Sequence, residues 1–130
     1  MADTMPRSML FTSADLELFP DDGKRYEIID GELHVAKMPS AEHQLVCGRA
    51  WTALDLWSLE TGAGEAIAAP GVIFGEHDDV APDVAWISRE RFGAAFDEAG
   101  HFRIAPDLVV EVLSPGTANE RRDRETKMKL

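Results

Sequence analysis

One cysteine, Cys47, stands in a chain of 130 residues. It can form neither an intrachain disulfide nor a multi-cysteine zinc site, so a reduced, cytoplasmic setting is the simplest expectation. By itself Cys47 reads as a small buried hydrophobe. Long apolar runs are also missing. None approaches the roughly 20 residues of a membrane-spanning helix, and the start, MADTMPRSMLFTSADLELF, lacks the charged-then-apolar pattern of a secretory signal. Basic residues are scarce, 13 against 24 acidic, for a net charge of −11. Nonspecific nucleic-acid binding depends on basic surface that displaces counterions from phosphates, so this deficit counts against DNA. It is uneven, however: residues 121–130 hold five basic and two acidic residues, leaving eight basic and 22 acidic in the rest.

What is present is an ordinary globular composition, 45% hydrophobic and 28% charged. That suffices for one domain over residues 1–130 with one core. Residues 1–11 carry no period and are expected to be flexible. Thr12 or Ser13 can cap a short helix that ends before Pro20. RYEIID and ELHVA are β-prone runs split by Asp30-Gly31, the local signature of a hairpin. Ser40 then caps a helix over Ala41 to Glu60, with Glu42 at the positive end of its dipole. Val46, Ala50, Ala53, Leu54 and Trp57 recur at helical spacing and predict its buried face. Extended pieces follow in EAIAAPGVIFG, broken at Pro70-Gly71, and in DVAWIS, residues 83–88. A helical turn is expected from Arg89 to Phe96. The unbroken run in PDLVVEVLS predicts a central strand buried on both faces. Thr117 and Glu120 have capping-box spacing for a helix near Ala118 that runs to Leu130, so the chain is expected to end inside an element.

Glu111 is the most informative residue, because Leu108 to Leu113 is otherwise wholly apolar and a buried carboxylate is costly without a partner. A metal ion, a neighbouring cation or a hydrogen-bond donor would each supply one. Asp83 heads the preceding strand, and neighbouring strands lie about 4.8 Å apart, so the two carboxylates can share one cation. Mg²⁺ (or Mn²⁺) suits the pair, since hard ions take one or two protein carboxylates and fill the octahedron with water and phosphate. The competing readings are an ion pair for Glu111 and a loop-capping hydrogen bond for Asp83. Asp107 shares the Glu111 strand face, yet four residues place it about 13 Å away, too far for one ion. His43 lies on the inward face of its helix, as a hydrogen-bonded core histidine or as a site residue. The tryptophans read as core packing.

Taken in order, RYEIIDGEL, PSAEHQ, APDVAWIS, PDLVVEVLSP and KMKL resemble the Uma family of restriction endonucleases, across nearly the whole chain. That family belongs to the PD-(D/E)xK nuclease superfamily. The resemblance implies an α/β (α+β) restriction-endonuclease-like core, a mixed sheet flanked by helices, with a divalent-metal phosphodiesterase site acting on DNA. It assigns Asp83 as the metal aspartate and Glu111 as the motif glutamate. The superfamily's usual lysine, two residues after the glutamate, is Leu113 here. In the Uma family the following helix supplies it, at the position of Lys127. Ten helical residues from Thr117 to Lys127 run back about 15 Å, which reaches the level of Glu111. Glu42 could approach the metal from the first long helix, with His43 beside it. Superfamily nucleases commonly cut as pairs, so a homodimer is expected. The acidic balance and the missing strand lysine keep open a second class, a catalytically inactive nuclease-like interaction module.

Overall fold

Residues 9–113 are described by the computed structural model; the expected C-terminal helix and Lys127 lie outside them. The first helix, α1 (Ser13–Leu16), opens where expected, with the Asp15 carboxylate accepting the Thr12 N–H at 2.8 Å. Strands β1 (Arg25–Ile29) and β2 (Glu32–Ala36) form the expected antiparallel hairpin. Its turn requires positive φ at both central residues, and Asp30 (52°) and Gly31 (75°) supply it. An added Cβ at Gly31 would also meet Leu10 at 2.8 Å, so glycine is required for space as well.

The long helix α2 (Ala41–Thr61) starts on Ser40, whose hydroxyl accepts the His43 N–H at 3.1 Å. It ends at Gly62 in the left-handed region. Its covered face differs from the expected one. Val46, Ala53 and Trp57 are exposed, while His43 and Ser58 are buried and Cys47, Ala50, Trp51 and Leu54 lie between them in exposure. The helix is apolar nearly all round, with Leu45, Leu56 and Leu59 also exposed, so hydrophobic period alone could not choose the face. The covered side is instead selected by hydrogen bonds. Trp51 donates to the Ala66 carbonyl at 3.1 Å, and Ser58 accepts from the Trp86 indole at 2.8 Å.

Strand β3 (Gly64–Ala68) returns beneath α2, and β4 (Val72–Gly75) follows the Pro70-Gly71 break. Strand β5 (Asp78–Val80) was not anticipated, because two of its three residues are aspartates. Both are employed: the Asp78 carboxylate accepts the Asp30 N–H at 2.7 Å, and Asp79 accepts the Ser13 hydroxyl at 2.6 Å. Strand β6 (Val84–Ser88), the helical turn α3 (Arg89–Phe92) and β7 (Leu108–Val110) complete the order. The hydrogen-bonded order is β2-β1-β5-β4 in one antiparallel sheet and β3-β6-β7 in another. Val72 and Phe102 add one isolated parallel bridge. Ile29, Val72, Val80, Ala85, Ile87, Ala95 and Phe102 form the shared core.

Strand β7 departs from its expected central place. Among the described residues it stands last in its sheet, with Leu108 and Val109 about half exposed. Its apolar run therefore does not report burial on both faces there. No helix among the described residues is long and apolar enough to cross a membrane.

Asp79 provides a pH test of the α1 to β5 contact. Burial pushes its carboxyl above the ordinary value of 3.8, against the Ser13 hydrogen bond and the charges of His101 and Arg103. A carboxyl raised on folding binds its proton more tightly in the native state. Stability at Asp79 is thus greatest below the unfolded value and falls as pH rises through the folded one. Asp79→Asn keeps an acceptor for Ser13 and removes the charge. It is expected to raise the urea midpoint at neutral pH and to lose that advantage in acid, as read from paired denaturation curves.

Candidate metal centre

The site is assembled where the two sheets meet. Arg25 and Glu27 are two residues apart on β1 and share one face of it. Glu27 is buried and accepts the Ala81 N–H at 2.9 Å, which fixes the Ala81-Pro82-Asp83 segment against β1. Arg25 reaches the same segment, with Nη2 at 2.8 Å from Asp83 Oδ1. Asp83 is almost wholly buried, its side chain 2% exposed, so an unpaired charge there would be expensive.

The second oxygen of Asp83 is also engaged. Val112 donates its N–H to Oδ2 at 2.8 Å, and His43 Nε2 lies 3.4 Å from the same atom. His43 reaches inward from the first turn of α2, where Nε2 is 3.0 Å from the Val112 carbonyl and Nδ1 is 3.6 Å from Cys47 Sγ. Three elements therefore converge on one carboxylate: β1 through Arg25, α2 through His43, and the segment after β7 through Val112.

Glu111 directly follows β7. The β6–β7 register runs as far as Val84 opposite Val110, and Asp83 and Glu111 are the residues that flank that last pair. The Glu111 charge acts on Arg25 and Cys47, as does that of Asp83. Burial disfavours the Arg25 charge, yet the bond to Asp83 and the charges of Asp83, Glu27 and Glu111 hold its guanidinium above the ordinary value. Burial and the same two carboxylates, Asp83 and Glu111, push the Cys47 thiol up, so it stays protonated. Asp83 and Glu111 thus place two carboxylates around the single guanidinium of Arg25. A cleft of about 220 Å³ opens on it, walled by Arg25, Gln44, Cys47, Trp51 and Asp83.

A family model described as "Putative restriction endonuclease", Uma2, matches residues 13–130. The chain belongs to this family. Among solved structures, a putative nuclease belonging to DUF820 from Anabaena variabilis is similar, at 22% identity and TM-score 0.67 over 92% of this chain. The chain spans 64% of the length of that structure, and at this identity the likeness is one of fold. Nothing among the curated proteins matches. The α+β class and nuclease-like fold expected of the family are observed, with two antiparallel sheets among the described residues in place of the expected single mixed sheet.

The family's motif positions are distributed unevenly over the structure. Asp83 and Glu111 flank the last β6–β7 pair and both act on Arg25, and Lys127 lies outside the described residues. His43 is drawn in, whereas Glu42, one residue earlier, is exposed in the first turn of α2. Asp107 faces elsewhere, accepting the Ser88 N–H at 2.8 Å and pairing with Arg91 at 2.9 Å. Sequence reasoning missed Arg25 and Cys47. The i, i+4 spacing of His43 and Cys47 was a usable signal for the cysteine, since those positions share a helix face. No local signal marks Arg25, whose partner is 58 residues away.

Proposed function

We propose that the chain is a divalent-metal-dependent DNA endonuclease that hydrolyses phosphodiester bonds, with Asp83 and Glu111 holding Mg²⁺ or Mn²⁺. What supports this reading is that Asp83 and Glu111 flank the last β6–β7 pair, Val84 with Val110, and that the charges of both act on Arg25. The donor set fits a hard cation, because it offers carboxylate oxygens around a spot that already attracts positive charge. When bound, such an ion polarises a phosphoryl oxygen and an attacking water. The chain's own residues position it. Val112 and His43 orient Asp83, Arg25 supplies a counter-charge that can turn to a substrate phosphate, and Lys127 stabilises developing charge or orients the water. Glu42 remains a peripheral ligand candidate from α2.

The acidic balance predicts weak, salt-sensitive DNA binding, helped by a targeting partner. The chain acts as a single domain in the cytoplasm, and the exposed apolar side chains of α2 offer a surface for a symmetric homodimer. The rival reading, a module that no longer cuts, draws on Arg25 already satisfying Asp83. Calorimetric titration of the protein with Mg²⁺ or Mn²⁺, alongside nicking of supercoiled DNA, separates the two. Stoichiometric heat and metal-dependent nicking are expected; protein that shows neither is the inactive module.

A further inference from the structure

The hard-ion pair does not use His43 and Cys47, which lie on the same helix face beside Asp83. Ligand atoms of His43, Cys47 and Asp83 fall within 4.8 Å of one another. We infer that these three side chains form a second cation site, selective for a borderline metal of the Zn²⁺ type, that shares Asp83 with the Mg²⁺ pair. The inference rests on the nuclease reading only for the consequence of that sharing.

Donor chemistry distinguishes the two sites. Imidazole, thiolate and one carboxylate are the ligands that Zn²⁺ collects at about 2.0–2.3 Å, usually as three protein groups with a fourth position open. Mg²⁺ has little use for the first two. A tetrahedral set of that size places its ligand atoms about 3.3–3.8 Å apart, so side chains whose ligand atoms lie within 4.8 Å of one another draw together on binding, and Asp83, whose Oδ2 is 3.4 Å from Nε2, turns toward the Nδ1 side. Nε2 of His43 is 3.0 Å from the Val112 carbonyl, and donation there leaves a lone pair on Nδ1 facing Cys47. A ligating histidine ordinarily has its other nitrogen fixed in this way. Gln44 lies 3.0 Å from Nδ1 and can turn its amide away. Access is through the cleft, on whose wall Cys47 and Asp83 both appear.

Binding exchanges protons and partners in balance. The Cys47 thiol releases its proton to solvent as Sγ takes the cation, and Arg25 leaves Asp83 for water. Asp83 is then unavailable to pair with Glu111, so Zn²⁺ inhibits whatever Mg²⁺-dependent cleavage the chain performs.

Cobalt(II) reports the site directly. Titrating the whole chain with Co²⁺ is expected to give a near-ultraviolet thiolate-to-cobalt charge-transfer band that saturates at one equivalent. Cys47→Ser should abolish the band and weaken Zn²⁺ binding by at least about tenfold. A wild-type spectrum without that band overturns the inference, as does a Cys47→Ser protein that binds Zn²⁺ unchanged. The wild-type spectrum alone decides, so a variant that failed to fold would not shield it. Mn²⁺ binding, followed by paramagnetic resonance, is the separate readout for the Asp83 and Glu111 pair. Mn²⁺ bound without a cobalt band removes only this site; a band without Mn²⁺ binding keeps it and removes the nuclease reading.

Discussion

Replacing Asp83 by alanine is expected to lower the free energy of unfolding by about 3–5 kcal/mol, the usual cost of breaking a buried ion pair from one side. The effect is large because one carboxylate serves three partners. Arg25 loses the counter-charge of its guanidinium at 2.8 Å, the Val112 N–H loses its acceptor, and His43 loses a neighbour at 3.4 Å. Arg25 is only 24% exposed, so solvent replaces the lost interaction incompletely. The two sheets also lose a tie, since Arg25 belongs to β1 and Asp83 directly precedes β6. Asp83→Asn keeps an acceptor for Val112 and surrenders only the charge, so it should fall clearly short of the alanine variant. Chemical denaturation of the three proteins checks this order. If Asp83→Ala unfolds at the wild-type midpoint, the carboxylate does not join β1, α2 and the Val112 backbone.

Much of the architecture was legible because its signals are local. Asp30-Gly31 dictates a hairpin through φ alone, and Ser40 with Gly62 brackets α2 through its end groups. The facing of α2 was not legible. A helix with Leu45, Val46, Leu56, Trp57 and Leu59 all exposed offers several apolar stripes, and the side that packs is chosen by partners such as Ala66 and Trp86. The run around β7 misled for a related reason: apolarity shows that a segment can be buried, not that both faces are. For the site, the direct pairing of β6 and β7 puts Asp83 and Glu111 beside its last pair, Val84 and Val110, as strand order alone suggests. Arg25 required the docking of the Ala81 to Asp83 segment against β1, which no window of sequence contains.

Glu111→Ala is expected to reduce metal-dependent DNA cleavage on the order of a thousandfold, about 4 kcal/mol of transition-state stabilisation, while the fold persists. The contrast with Asp83 is the point of the experiment. Asp83 is buried and ties β1, α2 and the Val112 backbone together, so its loss mixes structure with function. Glu111 is half-buried and follows β7. Its removal takes a negative charge from the field around Arg25 and leaves the Arg25 to Asp83 contact in place. On the nuclease reading, the remaining carboxylate then holds the metal alone and loses to water in the competition for it. Mg²⁺ affinity should fall together with cleavage, while the unfolding midpoint measured without metal shifts less than in Asp83→Ala. Cleavage that survives in Glu111→Ala at the wild-type rate would place the chemistry elsewhere in the chain. Lost cleavage with unaltered Mg²⁺ binding would instead show that the ion is held by Asp83 without Glu111.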